Sequence, residues 1–365
     1  MKTLLLIPRG LQPALIGPYG NRWIDTPNFD LLAEAGVVFD RQYSSRPGTP
    51  LLDSSFLDAL RDAGVSTRFI RDTSRGRLAG SPTAEEYDGT ERTLAVARKA
   101  LRSLDGLLVV EFASLLPPWR IAQQFLDAVF TPTPAGEELI EDDEELDDEE
   151  KDLDDDENDN EDEGLELLPE EEILEPILSP PTGAIDVNDD RLFLGIQSTY
   201  AAAVTQFDAV MGELLDGLPD DVTLMVASDQ GLPLGEHGHV GPGGGLYAEL
   251  VHVPLIAVGP GLHGGARVGE LTSTFDLGPT IAARFGIAWP GVDLLAPLPP
   301  RDAIIMSTES ERAIRTPTWF LRLPHKGTPE LYEKPHDRSE ILNVSGPNFG
   351  VVEELVRRLT EPLKP

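Results

Sequence analysis

The chain has 365 residues, 40% of them hydrophobic, no cysteine and a formal net charge of -35. That length allows one large core with room for a second small unit, and the missing cysteines exclude disulfides and thiolate metal sites. The charge is concentrated: residues 137–175 hold 25 of the 64 acidic residues and a single base, Lys151. The remainder carries 39 acidic against 28 basic residues, which offers no basic groove, so nucleic acid is not an expected partner.

In chain order, the apolar run Leu4-Leu5-Leu6-Ile7 is too short for a signal-peptide core or a membrane span. It reads as a first buried strand over residues 3–7, and a cytoplasmic location is the expectation. Similar short apolar runs at 106–112, 222–228 and 253–259 predict further buried strands. A helix is expected at 56–63. The series Ile196, Tyr200, Ala203, Val204, Phe207, Val210, Met211, Leu214, Leu215 and Leu218 steps by three and four and predicts a long amphipathic helix, and another helix fits 275–285. The acidic stretch has too much like charge and too few large apolar residues to offset its ordering entropy. It is expected to be a disordered insertion at about 133–185, either a solvated spacer or a binder of cations or a basic protein. After residue 300, alternating segments at 303–307 and 318–323 and a final helix at 351–359 predict a small antiparallel sheet with one helix. Strands alternating with helices imply an α/β domain over 1–298, a mostly parallel sheet covered by helices on both faces. Residues 299–365 form the small C-terminal α+β unit.

Several blocks carry a resemblance. Thr26-Pro27-Asn28-Phe29-Asp30-Leu31-Leu32-Ala33 with Gly36 and Phe39 resembles the sulfatase segment T-P-N-x-D-x-L-A-x-x-G-x-x-F. In the same order follow Leu60-Arg61-Asp62-Ala63-Gly64, Ser228-Asp229-Gln230-Gly231, Gly235-Glu236-His237-Gly238, Val253-Pro254-Leu255-Ile256, Phe275-Asp276-Leu277-Gly278-Pro279-Thr280 and Glu330-Leu331-Tyr332. The chain is therefore similar to the sulfatase branch of the alkaline-phosphatase-like superfamily. The resemblance implies an ester-hydrolase site at the carboxyl ends of the parallel strands, with a hard cation held by carboxylates, a nucleophile in C-x-P-S-R and cationic side chains.

Set against that expectation, the site blocks depart from the family. Leu11 to Asn21 aligns without a gap to the family segment after the first strand, which places Arg9 and Gly10 on the two metal-binding aspartates. Asp229 and Gln230 match the other half of the metal site. Thr49 is the nearest counterpart of the nucleophile, but Gly48-Thr49-Pro50 also reads as a turn. Where the family has G-K-W-H, Arg71-Asp72-Thr73-Ser74 puts Asp72 and Ser74 in place of Lys and His. A later family lysine falls on Pro242, within a glycine run that lacks the G-K-[ST] of a phosphate loop and reads as a flexible surface loop. Glu236, His237 and His239 lie close in sequence, but two imidazoles in a glycine-rich loop without a third ligand read as loop packing. The expectation is a catalytically inactive homologue, a pseudoenzyme acting as a scaffold or binding module, with Arg9 beside Asp229 in place of a metal. No cofactor is expected; weakly bound calcium or magnesium is the alternative. The alternative function is an active metal-dependent sulfuric or phosphoric ester hydrolase that uses Thr49 or a divergent constellation of Asp229, Gln230 and His237.

Overall fold

A computed structural model describes residues 2–131 and 174–360. Its eight-stranded sheet contains β1 (Lys2–Pro8), β2 (Val37–Tyr43), β3 (Thr67–Asp72), β4 (Glu85–Tyr87) and β5 (Gly106–Phe112). A two-residue strand, β6 (Gly183–Ala184), lies outside it and pairs with β8 (His239–Val240); β7 (Val222–Ala227), β9 (Leu255–Val258) and β10 (Ala266–Ser273) complete the sheet. The order is β10-β2-β9-β7-β1-β5-β3-β4, and only β9 runs antiparallel to its neighbours. The predicted mostly parallel α/β arrangement is thus present, with β1 at the centre between β5 and β7.

Alternating side chains of each strand face opposite sides of a sheet, and here each side has its own helices. Leu4, Leu6, Leu108, Val110, Leu224 and Val226 join one core with α1 (Pro27–Ala35), α3 (Thr90–Leu101) and α5 (Asp190–Leu215). Leu5, Ile7, Leu107, Val109, Met225 and Ala227 join the other with α2 (Ser54–Asp62) and α7 (Leu277–Arg284). The remaining helices are α4 (Gln123–Phe130), packed on α5, the single turn α6 (Ala248–Val251) and α8 (Phe349–Thr360). The C-terminal unit is an antiparallel sheet of β11 (Ile304–Ser307), β12 (Glu311–Arg315), β13 (Trp319–Pro324) and β14 (Glu330–Glu333), with α8 covering one face. Its other face packs on Tyr43, Leu246, Leu250 and Val251 of the main domain.

Two expectations are corrected. Most of the acidic insertion lies outside the described residues, but its expected end at 185 is too late. Ile177 N–H donates to Thr199 Oγ1 at 2.8 Å, Trp119 N–H donates to the Leu178 carbonyl at 2.7 Å, and Gly183 pairs with Val240. A low-charge, Pro- and Ile-containing stretch can be ordered by such backbone bonds and one apolar anchor, whatever precedes it. The second correction concerns the glycine run at 241–245. Pro242 and Gly243 are exposed as expected, but the end of the run is anchored: Gly245 has φ +120° and packs against the Arg322 guanidinium, and Leu246 next to it is fully buried.

Candidate functional site

The turn after β1 aims the first site residue. Arg9 N–H continues the sheet by donating to the Phe112 carbonyl at 2.9 Å. Tyr200, projecting from α5, then clamps the turn: its hydroxyl donates to the Gly10 carbonyl at 2.6 Å and accepts from Gln12 N–H at 3.2 Å. Arg9 and Gly10, the two positions at which the resemblance led one to expect aspartates, therefore present one guanidinium and one backbone group already in use.

Four charged side chains meet at the carboxyl ends of β1, β3, β5 and β7, where α/β sheets commonly place their sites. Arg71 and Glu111 have the same parity as Phe69 and Val109, so they face the α2/α7 side of the sheet. Arg9 Nε stands 3.7 Å from Asp229 Oδ2 and its Nη1 stands 3.7 Å from Glu111 Oε1. Arg71 Nε donates to Glu111 Oε2 at 3.2 Å, and its Nη1 donates to the Pro82 carbonyl and pairs with Glu86 at 3.5 Å. Arg9 Nη1 also donates to the Gly76 carbonyl at 3.2 Å. All four are nearly inaccessible to water. Arg9 Nε, Arg71 Nη2, Glu111 Oε1 and both Asp229 carboxylate oxygens have no hydrogen-bond partner. The cluster is charge-balanced but loosely joined.

Burial pushes the Asp229 carboxyl up to about 6; Arg9 opposes that shift and Glu111 adds to it. Its backbone is tied by Ser44, whose hydroxyl donates to the Asp229 carbonyl at 2.5 Å. Gln230 faces the turn at 46–49. Gly48 (φ +74°) passes so near that a Cβ would lie 2.9 Å from Gln230 Oε1, and its left-handed conformation favours glycine there. Thr49 itself is exposed, and its hydroxyl donates to the Arg46 carbonyl at 2.7 Å.

His237 is engaged elsewhere. Its Nδ1 pairs with Glu249 at 2.7 Å, its Nε2 meets the Glu340 carbonyl at 3.3 Å, and its ring stacks on Tyr247 with centroids 3.6 Å apart. Burial pulls its pKa down, but the bond and charge of Glu249 and the Glu340 carbonyl outweigh this and raise it overall. His239 Nε2 turns to the Pro242 carbonyl at 3.1 Å.

The structure thus brings Arg9 and Asp229 together, sets Gln230 against the Thr49 turn, and joins His237 to a separate cluster. Sequence reasoning missed Glu111 and Arg71. Glu111 had a legible signal, a carboxylate within the wholly buried strand Gly106–Phe112; Arg71 had none, since its strand Thr67–Asp72 also carries Arg68 and Asp72 and begins partly exposed.

The description Sulfatase matches this chain as a family model over residues 133–287, a span that includes Asp229, Gln230 and His237 but neither Arg9 nor Thr49. Among solved structures, the chain superposes on BT4656, solved in complex with its substrate D-glucosamine-2-N,6-O-disulfate, with a TM-score of 0.68 and 17% identity, covering 98% of this chain and 96% of that one. The phosphonate monoester hydrolase of Agrobacterium radiobacter gives a TM-score of 0.67 at 16% identity, covering 98% and 95%. BT1596, a 2-O GAG sulfatase, gives 0.66 at 17%, covering 98% and 90%. A phosphopentomutase from Methylobacterium radiotolerans is 35% identical over 94 residues, which is 25% of this chain and 21% of that protein; the chain matches about a fifth of that relative. These solved structures share their fold with this chain, and a sulfatase family model matches its residues 133–287. The chain is sulfatase-like.

The divalent cation implied by such a fold does not fit these residues. Asp229 and Glu111 could offer oxygen ligands, but the Arg9 guanidinium stands 3.7 Å from each, and a cation between them would face a fixed positive charge. Among the described residues, no group of three or more His, Asp or Glu is arranged to hold a metal. Nor is any described helix long and apolar enough to cross a membrane.

Proposed function

We propose that this sulfatase-like chain is a catalytically inactive homologue that keeps the fold as a scaffold or binding module. The observation that carries the reading is Arg9, placed between two buried carboxylates. Guanidinium stays protonated at any physiological pH, so it can neutralise Asp229 and Glu111. It offers no open coordination position at which an ester oxygen could be polarised. The hydroxyl of Thr49 is committed to a backbone carbonyl, and an alcohol needs a base or metal to become a nucleophile. The imidazole of His237 has both nitrogens occupied. Loss of each charge-stabilising group costs orders of magnitude in rate, and here several are replaced together.

The test is an assay of purified protein on aryl sulfate and aryl phosphate with calcium, magnesium, manganese or zinc. A flat baseline in every metal is expected. Turnover that disappears in Asp229→Ala would overturn the reading and support a divergent ester hydrolase, the activity class that its structural neighbours suggest.

A further inference from the structure

Between β3 and β4, residues 74–83 lie against the charge cluster, and their ties to the rest of the chain share one form. Their own backbone hydrogen bonds are local turns, Gly76 N–H to the Thr73 carbonyl at 3.0 Å and Ser81 N–H to the Leu78 carbonyl at 3.2 Å. The long-range ties are made by guanidinium groups. From the cluster, Arg9 donates to the Gly76 carbonyl and Arg71 to the Pro82 carbonyl, each at 3.2 Å. From the segment itself, Arg75 donates to the Leu116 carbonyl at 3.1 Å and to the Pro118 carbonyl, and Arg77 pairs with Glu86 at 3.1 Å. Leu116 also closes on the turn after β1, where a Cβ on Gly10 would lie 2.8 Å from its Cδ2. Two segments therefore meet at the cluster, and Arg75 joins them.

On its outer side the segment faces water: Gly76, Arg77, Ala79, Gly80 and Thr83 are exposed, and Pro82 alone between 74 and 83 is a buried residue. On its inner side, Ser81 Oγ is shut away from water without a hydrogen-bond partner. A segment with little buried apolar surface and no long-range backbone pairing opens at a lower free energy than the strands beside it. Arg9 and Arg71, which hold its carbonyls, also face Asp229 and Glu111, so the same two groups fasten the segment and balance the cluster. We propose that residues 74–83 are a strap that opens as a unit without unfolding of the sheet, and that its closed form withholds Asp229 and Glu111 from solvent. The place where the fold is expected to bind is then taken by the chain's own backbone, an autoinhibitory contact. The inference rests on the reading of the chain as an inactive binding module and deepens it by naming the segment that governs access.

The chain has no cysteine, so a single introduced thiol reports its own site. Ser81→Cys places one under the strap, and Thr3→Cys places one in the central strand β1, each at a buried hydroxyl that has no hydrogen-bond partner to lose. In the full chain, the Ser81→Cys thiol should react with DTNB at least about tenfold more slowly than in urea, yet about a hundredfold faster than the Thr3→Cys thiol. Adding Arg75→Ala removes the tie to Leu116 and Pro118 and leaves the four cluster residues in place. It should speed the Ser81→Cys reaction about fivefold or more, as expected for lost charge-assisted hydrogen bonds, and leave Thr3→Cys unchanged. Carbodiimide-driven amidation of Asp229 and Glu111 should rise with it, while Asp208 and Glu311, buried elsewhere, stay unlabelled. Equal rates for the two thiols, a Ser81→Cys rate equal to that in urea, an equal response or none to Arg75→Ala, or no added amidation at Asp229 would overturn the strap and leave the inactive reading intact. Turnover of aryl sulfate or aryl phosphate appearing in Arg75→Ala would overturn the inactive reading and leave the strap assigned.

Discussion

Two groups of buried charge lie in this molecule, and they are built to different tolerances. At the join between the C-terminal sheet and the main domain, Arg322 donates from Nη2 to Glu311 Oε2 at 3.0 Å and from Nη1 to Glu330 Oε2 at 2.5 Å while lying over Tyr247, 3.4 Å from the ring centroid; only its Nε and the facing Glu311 Oε1 are left without a hydrogen bond. Tyr247 in turn stacks on His237. At the carboxyl ends of the central strands, Arg9 approaches Asp229 and Glu111 no closer than 3.7 Å, and five polar atoms of the cluster have no hydrogen-bond partner. A structural ion network is closed by short directional bonds, because desolvation of the ions must be offset by them. Loose pairing at a fold's expected site fits a place once shaped for another occupant, where an arginine now balances charge without the directional bonds.

This contrast is open to attack. The largest effect is expected from Arg322→Met, which leaves Glu311 buried without its cation and should cost about 3–5 kcal/mol in denaturant unfolding. Arg9→Met should cost less, about 2–3 kcal/mol, because the bonds it removes are longer and Arg71 still holds Glu111. If Arg9→Met proved the more damaging of the two, the distinction between tight and loose clusters would fail.

A smaller effect separates the join from the site by pH. His252 stacks on Tyr43, and burial lowers its pKa from 6.5 to about 4, against the pull of its bond to the Asp40 carbonyl. Its folded pKa lies below the unfolded one, so its contribution is fully present above pH 6.5 and is lost as pH falls toward 4. Between those values the slope should approach ~1 kcal/mol per pH unit. His252→Gln should flatten that limb of a stability-versus-pH curve; an unchanged slope would assign the acid sensitivity to other groups. The smallest effect is expected at Thr49→Ala, about 0.5–1 kcal/mol from one exposed hydrogen bond, with no change in binding or turnover traceable to a nucleophile.

Much of the framework was readable because strands and helices leave periodic traces. Residues 106–112 were placed as a strand with the observed limits, and the apolar steps from Ile196 located α5, although the helix begins earlier, at Asp190. The strand over Val37–Tyr43 escaped because its burial pattern does not alternate and its sequence includes Asp40 and Arg41. Arg9 opposite Asp229 could be anticipated from the ungapped alignment of Leu11 to Asn21. Glu111 and Arg71 could not be linked to it, since their meeting depends on strand order and side-chain parity rather than on any spacing in the chain. His237 illustrates the reverse: a sequence block that resembles a site block lies here at the join with the C-terminal unit, against the Glu340 carbonyl and the Tyr247 ring over which Arg322 lies.

The central claim is that Arg9 occupies the charge role of a metal, and the most direct measurement is the melting temperature of the wild-type chain across a calcium titration, with Arg9→Asp beside it. The account predicts no site-specific shift for the wild type and a calcium-dependent rise for Arg9→Asp, which would set a third carboxylate beside Asp229 and Glu111. A saturable calcium-dependent rise in the wild type, abolished by Asp229→Ala, would contradict it.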